Sequence, residues 1–379
     1  MSDDTFAAYP TKDLPLWTRI RHYLREPFAE FLGTMILILF GDGVVAQVVL
    51  SENTKGEYQS ISWCWGIGVM FGVYCSGGIS GGHLNPAVTL ANCINRGFPW
   101  WKLPIYTAAQ MLGAFCGSLI VYGNYLNAIN MFEGYGIRSV TGPTATAGIF
   151  CTYPAEFMTR TGMVFSEIIA SSILMIGIYA INDENNIPAG DLAPIALFFL
   201  IFGIGAAFGW ETGYAINPAR DFGPRLASFA VGYSSEVFSA GGYYFWIPIV
   251  APCIGCAFGG FLYDFLVYTG AESPINMKYM GFARVRHIIH PHGEKEDEEE
   301  GVEYRHNPDT LAGRVHGHRH HEILDLNDVV PVDHNRQTQS MPAVPQMPKP
   351  SPLQQGDAPP KMHTSPSAQH VERVNDQEK

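Results

Sequence analysis

The fold is decided by the stretch Gly213-Tyr-Ala-Ile-Asn-Pro-Ala-Arg-Asp-Phe-Gly-Pro-Arg225, because Ser80-Gly-Gly-His-Leu-Asn-Pro-Ala-Val-Thr89 repeats its centre. Each copy follows a glycine-containing run and opens an apolar segment. A proline at the first helical position needs no amide hydrogen, and the asparagine before it caps the helix. The repeated residues are Asn85, Pro86, Ala87, Asn217, Pro218 and Ala219. The two copies therefore predict two equivalent helix starts, one in each half of the chain.

Composition divides the 379-residue chain near residue 270. Apolar residues, which make up 47% of the chain, mostly precede that point, whereas Pro, His, Glu, Gln and Asp dominate the carboxyl-terminal remainder. The net charge of -12 draws on the acidic run 294–300. It therefore describes a solvated segment and argues against nucleic acid as a partner. We predict a disordered tail over residues 271–379.

Six apolar segments are long enough to cross about 30 Å of hydrocarbon as helices. They cover residues 27–50, 61–78, 102–126, 162–181, 192–210 and 243–268. Two shorter segments, 82–94 and 216–229, carry the repeated motif and are each predicted to be a half-helix that enters the membrane part-way. Irregular backbone at that depth must be buried in protein or line a watery cavity. The predicted fold is an all-α membrane protein with six transmembrane helices and two re-entrant half-helices in an inverted repeat.

The two halves also match outside the motif. Glu30 and Glu167 each lie near the start of an otherwise apolar span. Three spans per half place successive halves in opposite orientations, which gives inverted repeats over about 26–126 and 160–269. The half-helices then enter from opposite faces, and their amino-terminal ends meet near the midplane.

Acidic residues inside membrane spans require an explanation, because they are costly there. For Glu30 and Glu167 we favour a structural role, in which each carboxylate accepts backbone amides of a re-entrant loop. A proton-relay pair, as in a pump, is the alternative, although no chain of Asp, Lys or His accompanies them through the spans. Asp42 is predicted to be solvated at the outer end of the first span.

The residues outside the spans predict the orientation. Residues 1–25 contain no apolar stretch typical of a signal peptide, and basic residues precede the first span, which favours a cytosolic amino terminus. Those basic residues are Lys12, Arg19, Arg21 and Arg25. We therefore predict a cytosolic segment 1–25, a channel domain 26–270 and a cytosolic tail 271–379. Basic residues early in the tail are expected to contact anionic membrane lipid.

Metal and cofactor chemistry is not expected in the membrane part. Cys253 and Cys256 have metal-site or redox spacing but occupy an apolar run with no other candidate ligand nearby. The histidine-rich run 316–321 leaves metal binding by the tail open.

The two motifs, set in a six-span inverted repeat, resemble the aquaporin family and within it the glycerol-conducting aquaglyceroporins. The resemblance covers about residues 26–269. It implies that the Asn-Pro-Ala motifs line a pore, that no cofactor takes part, and that the protein forms a homotetramer in the plasma membrane. It also implies that the protein is not an enzyme.

The resemblance further implies a selectivity filter formed by Trp65, Gly205, Tyr214 and Arg220. Water-selective relatives have histidine where this chain has Gly205, so the glycine is expected to leave room for a carbon backbone. Trp65 and Tyr214 would face that backbone while Arg220 donates hydrogen bonds to hydroxyls. The sequence departs from the glycerol branch at Tyr214, where phenylalanine is expected, which puts the preference for glycerol over water in doubt.

Three more residues match the family pattern. His83 resembles the loop histidine that holds the loop and lines the pore, and Asp221 and Arg225 resemble residues of the glycerol branch. The expected function is passive conduction of glycerol, other small polyols and water, with protons and ions excluded. The alternatives are a mainly water-selective channel, a secondary transporter, or a non-conducting junctional membrane protein.

Overall fold

The computed structural model describes residues 14–277, and the regular elements of this range are helices without any strand. In chain order they are α1 (Leu16–Tyr23), α2 (Arg25–Leu50), α3 (Tyr58–Ser80), α4 (Pro86–Asn95), α5 (Lys102–Glu133), α6 (Arg160–Asn182), α7 (Ala193–Thr212), α8 (Pro218–Ala230), α9 (Glu236–Tyr243) and α10 (Ile247–Leu266). The six predicted spans correspond to α2, α3, α5, α6, α7 and α10, and the predicted half-helices to α4 and α8. The predicted fold class is confirmed. Predictions about residues 1–13 and 278–379 lie outside the described residues.

Within residues 14–277, five helical stretches are long and apolar enough to cross a membrane. They are Arg25–Leu50, Lys102–Glu133, Arg160–Asn182, Gly190–Thr212 and Glu236–Leu266. The helix α3 has 23 residues, but glycine, serine and aromatic residues dilute its aliphatic content. Its small residues allow close packing, since a Cβ on Gly72 would lie 2.7 Å from the carbonyl oxygen of Gly33 on α2. We therefore assign α3 as the sixth span because it packs closely against α2, although its hydropathy alone would not identify it.

The packing repeats between the two halves. A Cβ on Gly113 of α5 would collide with the carbonyl of Phe31 on α2, and a Cβ on Gly255 of α10 would collide with that of Ile168 on α6. The glycines let each pair of helices approach backbone to backbone. The inverted repeat is thus expressed in helix contacts as well as in helix order.

Most helix ends differ by a few residues from the sequence-based limits, and the structure explains two of these differences. The helix α5 continues past residue 126 to Glu133, whose carboxylate accepts the amides of Ser139 and Thr146 and so anchors the following connection. The helix α10 begins at Ile247 and not at residue 243, because Gly241 and Gly242 adopt left-handed conformations that break the helix. Both differences lie at the ends of the spans and leave the fold unchanged.

Asp42 corrects a sequence-based prediction. It was expected to be solvated at the outer end of its span, but its side chain is fully buried within α2. The prediction was wrong because hydropathy alone does not show which face of a helix meets its neighbours.

The described chain continues beyond residue 270 along the end of α10. Ser273 is fully buried, and its hydroxyl donates to the Asp264 carboxylate at 2.6 Å. The same carboxylate pairs with Arg96 at the end of α4. This segment therefore packs onto the helix bundle at least as far as Ser273.

Candidate functional site

The two repeated asparagines meet at the centre of the bundle. Asn85 and Asn217 cap α4 and α8, each through a side-chain oxygen that accepts an amide two residues on, at 2.9 Å in both cases. Their side-chain nitrogens cross over: Asn85 donates to the carbonyl of Ile216, and Asn217 to that of Leu84, both at 2.8 Å. An amide nitrogen carries two hydrogens, so each asparagine keeps one donor for a further acceptor.

The residue before each asparagine is strained. Leu84 and Ile216 have φ values of 52° and 45°, in the left-handed region that larger residues avoid. Such a conformation costs on the order of 1–3 kcal/mol and persists only where the surroundings fix it. Here the amide of each residue is held by a carboxylate and its carbonyl by the opposite asparagine. The left-handed conformation of Leu84 and Ile216 therefore sets the direction in which their carbonyls point.

Glu30 lies under the first loop and is fully buried. Its carboxylate accepts the amides of His83 and Leu84 at 2.9 and 2.8 Å. It also accepts the hydroxyl of Ser80 and the side-chain amide of Gln110. These hydrogen bonds are the ones that a loop-supporting carboxylate requires.

Glu167 is arranged in the same way under the second loop. It is fully buried and accepts the amides of Ala215 and Ile216 at 2.9 and 2.8 Å. The Thr212 hydroxyl adds a third hydrogen bond at 2.7 Å. Both carboxylates are thus occupied by backbone amides, which favours the structural role over a proton relay.

His83 is held against the first half-helix. One ring nitrogen lies 3.1 Å from the Thr89 hydroxyl, and the other lies 3.1 Å from the Asn92 side-chain amide. The rings of Phe98 and Tyr106 pack against it with centroid distances of 4.8 and 5.4 Å. These contacts fix the histidine ring beside the loop.

Two of the four expected filter residues, Trp65 and Arg220, are in direct contact. The Arg220 guanidinium carbon lies 4.0 Å from the centroid of the Trp65 ring, a cation–π distance. One guanidinium nitrogen donates to the carbonyl of Phe150 at 3.3 Å. Both residues are buried in this chain, with 8% of Arg220 and 4% of Trp65 exposed, so the guanidinium is largely shielded from solvent.

The other two filter residues, Gly205 and Tyr214, also touch. A Cβ on Gly205 would lie 2.8 Å from the ring carbon Cζ of Tyr214. The glycine therefore makes room for the tyrosine ring, and the expectation of open space at this position is corrected. The Tyr214 hydroxyl is buried and has no hydrogen-bond partner among residues 14–277.

Sequence reasoning missed Tyr58, the first residue of α3. Its hydroxyl donates to the carbonyl of Gly205 at 2.9 Å, across 147 residues of sequence. It also fills the space beside Gly209, where any side chain would collide with it. No motif marks this residue, because its role depends on a contact between distant helices.

Asp221 and Arg225 lie on the same half-helix as Arg220 and form a fully buried ion pair at 2.8 Å. Asp221 also accepts the amide and hydroxyl of Thr152, and Arg225 donates to the carbonyls of Thr152 and Val237. Thr152 follows Phe150 by two residues, so this pair positions the carbonyl to which Arg220 donates. The pair acts through the connection between α5 and α6 and is separate from the Trp65–Arg220 contact.

The described residues contain no group of three His, Cys, Asp or Glu side chains that could hold a metal ion. Cys253 and Cys256 are both free thiols within α10. The groups that the structure brings together here are amide, carbonyl, aromatic and guanidinium groups.

The chain is similar to known proteins over most of the residues that the structure describes. The family described as Major intrinsic protein matches residues 17–263. Probable aquaglyceroporin-2 of Gibberella zeae is 68% identical over 277 residues, which cover 73% of this chain and 82% of that protein. Aquaglyceroporin-9 of Botryotinia fuckeliana is 66% identical over 271 residues, covering 71% and 59%. The X-ray structure of the aquaglyceroporin from Plasmodium falciparum matches with a TM-score of 0.58 and 33% identity, covering 65% of this chain and 97% of that one.

Proposed function

The chain belongs to the major intrinsic protein family, and from this premise we propose that its pore passes glycerol, other small neutral polyols and water while excluding protons and ions. It is an integral membrane channel and not an enzyme, as the members of this family are channels. The observation that carries the proposal is the crossed pair of asparagines, which joins two half-helix starts at one point.

The asparagines explain how a neutral solute crosses the centre. Each has one N–H left to donate, after its oxygen has capped its own half-helix and its other N–H has reached the opposite loop. A hydroxyl or water oxygen can accept both free donors. The loop carbonyls offer the complementary acceptors on either side of the centre.

The same geometry opposes cations and protons. The amino-terminal ends of α4 and α8 direct their positive dipole ends to the centre, and Arg220 adds a full positive charge at the filter. A water molecule whose oxygen faces two donors cannot also pass a proton through that oxygen. Neutral solutes avoid both penalties.

Glycerol is favoured as the larger permeant by three features. The Trp65 ring offers an apolar face, Arg220 offers donors beside it, and the buried Tyr214 hydroxyl has a free hydrogen-bonding position. A mainly water-selective channel is the second candidate, because the Tyr214 ring occupies the space that Gly205 was expected to leave.

We further propose that residues 26–270 form the channel domain of a homotetramer in the plasma membrane, with both termini cytosolic. Six spans bring both ends to one side, and basic residues before α2 favour the cytosolic side. The helix α1 exposes Leu16, Trp17 and Tyr23, which suit contact with the lipid surface. Cross-linking of the protein in native membranes tests the tetramer, and protease access to the amino terminus tests the orientation.

Stopped-flow light scattering on proteoliposomes tests the permeants. We expect water and glycerol fluxes that exceed those of empty vesicles, do not saturate with concentration and have a low activation energy. A six-carbon polyol is the size control and should pass much more slowly. Water flux without glycerol flux would favour the second candidate, whereas the absence of both would contradict a channel.

A further inference from the structure

The connection between α5 and α6, residues 134–159, supplies a backbone oxygen to the filter. The carbonyl of Phe150 accepts a hydrogen bond from the Arg220 guanidinium at 3.3 Å. Within this connection the regular structure is one 3-10 turn, Ala147–Ile149, which ends directly before Phe150. The direction of this carbonyl therefore depends on the side chains that hold the connection in place.

The connection is held from two sides. At Thr152 it is held by the ion pair on α8 described above. On the other side lies a second pair, Glu133 and Arg138, whose side chains are 0% and 6% exposed. One Glu133 oxygen accepts the amides of Ser139 and Thr146 at 2.9 and 3.1 Å. The other Glu133 oxygen lies 3.7 Å from the Arg138 guanidinium, and we call these two residues the anchor pair.

The anchor pair reaches Phe150 by two routes. The Nε of Arg138 donates to the hydroxyl of Tyr122 at 2.9 Å. The hydroxyl of Thr146, whose amide the anchor pair holds, is hydrogen-bonded to that of Tyr233. The two tyrosine rings pack against the Phe150 ring with centroid distances of 6.2 and 6.0 Å, and Phe150 is only 1% exposed. A shift of the anchor pair would therefore reach Phe150 through both tyrosines.

The Arg220 guanidinium is sensitive to such a shift. It lies 4.0 Å from the centroid of the Trp65 ring, and Arg220 is 8% exposed. A buried N–H group that loses its acceptor costs free energy, so the guanidinium either follows the Phe150 carbonyl or loses that hydrogen bond. Either change alters the donors that stand beside the apolar face of Trp65.

We propose that the anchor pair, Glu133 and Arg138, positions the selectivity filter by holding the Phe150 carbonyl in place for Arg220. Both act through Arg220 as positioning residues. This rests on the proposed function, since it requires that solutes pass the Trp65–Arg220 filter.

The main test removes the oxygen that accepts both amides. Glu133→Ala should let the connection move, and glycerol should suffer more than water because it needs the guanidinium and the Trp65 face together. In stopped-flow light scattering on proteoliposomes, the ratio of glycerol to water permeability should fall by about fivefold, the change that corresponds to one typical hydrogen bond. Glu133→Gln keeps an oxygen acceptor and should retain the parental ratio to within about twofold, which is less than one such bond contributes.

The readout that a merely structural role would not move is the dependence on Arg220. Glu133→Ala should lower the ratio in the parent background, but in an Arg220→Ala protein it should change the ratio by less than about twofold. An effect that does not pass through Arg220 would be of the same size in both backgrounds.

Two further variants act as control and second route. Asp264→Asn weakens a buried ion pair elsewhere in the bundle and should lower the melting temperature while leaving the ratio unchanged. Tyr122→Phe combined with Tyr233→Phe keeps the anchor pair but removes both of its hydrogen-bonded routes to Phe150, and it should lower the ratio as Glu133→Ala does. This double variant decides the question if Glu133→Ala does not assemble. The glycerol flux of the parent protein, measured first, tests the proposed function separately.

A parental ratio in Glu133→Ala would overturn the proposal, and so would a fall of equal size in the Arg220→Ala background. Failure of both Glu133→Ala and the tyrosine double variant to assemble would also overturn it, since the anchor pair would then be needed for folding and not for selectivity.

Discussion

The two re-entrant loops, residues 81–85 before α4 and 213–217 before α8, share their support but differ in charge. In both, a buried glutamate accepts two consecutive amides, and the asparagine of the opposite half donates to a loop carbonyl. Beyond that point the half-helices diverge. The helix α4 is accompanied by the uncharged contacts of His83, Thr89 and Asn92, whereas α8 carries Arg220, Asp221 and Arg225.

We propose that this difference distinguishes the residues that build the passage from those that determine its selectivity. On this proposal, the features present in both loops build the passage, and the features present only in the second loop determine which solutes pass. A charged pair also touches α4, between Arg96 at the carboxyl end of that half-helix and Asp264 of α10, but it lies away from the asparagine. Substitutions in each half test this division, and they are ordered here from the largest expected effect to the smallest.

The largest effect is expected from breaking the ion pair of the second half. Asp221→Ala leaves Arg225 charged and fully buried, which costs about 3–5 kcal/mol of stability. Asp264→Ala should cost less, because Arg96 is 13% exposed and lies between the rings of Tyr179 and Tyr268. Thermal unfolding in detergent measures both. Asp191→Ala, which removes an exposed carboxylate, is the control, and equal losses for Asp221→Ala and Asp264→Ala would contradict the asymmetry.

The glutamates should behave alike. Glu30→Gln and Glu167→Gln each replace a carboxylate, which only accepts hydrogen bonds, with an amide whose NH₂ group would face backbone N–H groups. Each buried group left unpaired costs about 1–3 kcal/mol of stability. We expect similar losses of folded protein for the two variants, measured by size-exclusion chromatography after mild heating. Glu156→Gln, at an exposed position, is the control. A large difference between the two would show that the loops are not equally supported.

Gly205→Ala tests the contact with Tyr214 inside the filter. The added methyl group would lie 2.8 Å from the tyrosine ring and push the ring toward the passage. Overpacking of this kind costs about 1–3 kcal/mol of stability. Glycerol permeability should fall by roughly tenfold, the change that corresponds to about 1.4 kcal/mol, and water permeability should fall less. Gly203→Ala is the matched control in the same helix, since its Cβ would meet no atom within 4 Å. Equal glycerol flux in the two variants would place the constriction elsewhere.

The smallest effect is expected from Tyr58→Phe, which removes the hydrogen bond to the Gly205 carbonyl. A single hydrogen bond of this kind contributes about 0.5–1.5 kcal/mol. We expect the ratio of glycerol to water permeability to change by less than about tenfold. Tyr135→Phe, at a position that is 92% exposed, should leave the ratio unchanged. An unchanged ratio in Tyr58→Phe as well would exclude this residue from the filter.

The repeated features were predictable and the unrepeated contacts were not. The positions of Glu30 and Glu167 relative to two copies of one motif predicted that each would accept backbone amides of a re-entrant loop. The resemblance placed Trp65 and Arg220 in one filter, and the structure brings them into contact. The role of Tyr58 and the burial of Asp42 depend on packing between helices that are distant in sequence. Neither residue belongs to a repeated motif, so its contacts had no signal in the sequence. The open space at Gly205 was misjudged for the same reason, because the position of the Tyr214 ring was not known.

The crossed asparagines also have a consequence for the synthesis of the protein. The carbonyl of Leu84 accepts a hydrogen bond from the side chain of Asn217, which the ribosome adds 133 residues later. At about 5–20 residues per second, this delay is on the order of ten seconds. During that time the Leu84 carbonyl lacks the hydrogen bond from Asn217, and an unsatisfied carbonyl is not tolerated in the membrane interior. We therefore expect the first loop to reach its final depth only after the second half has been inserted.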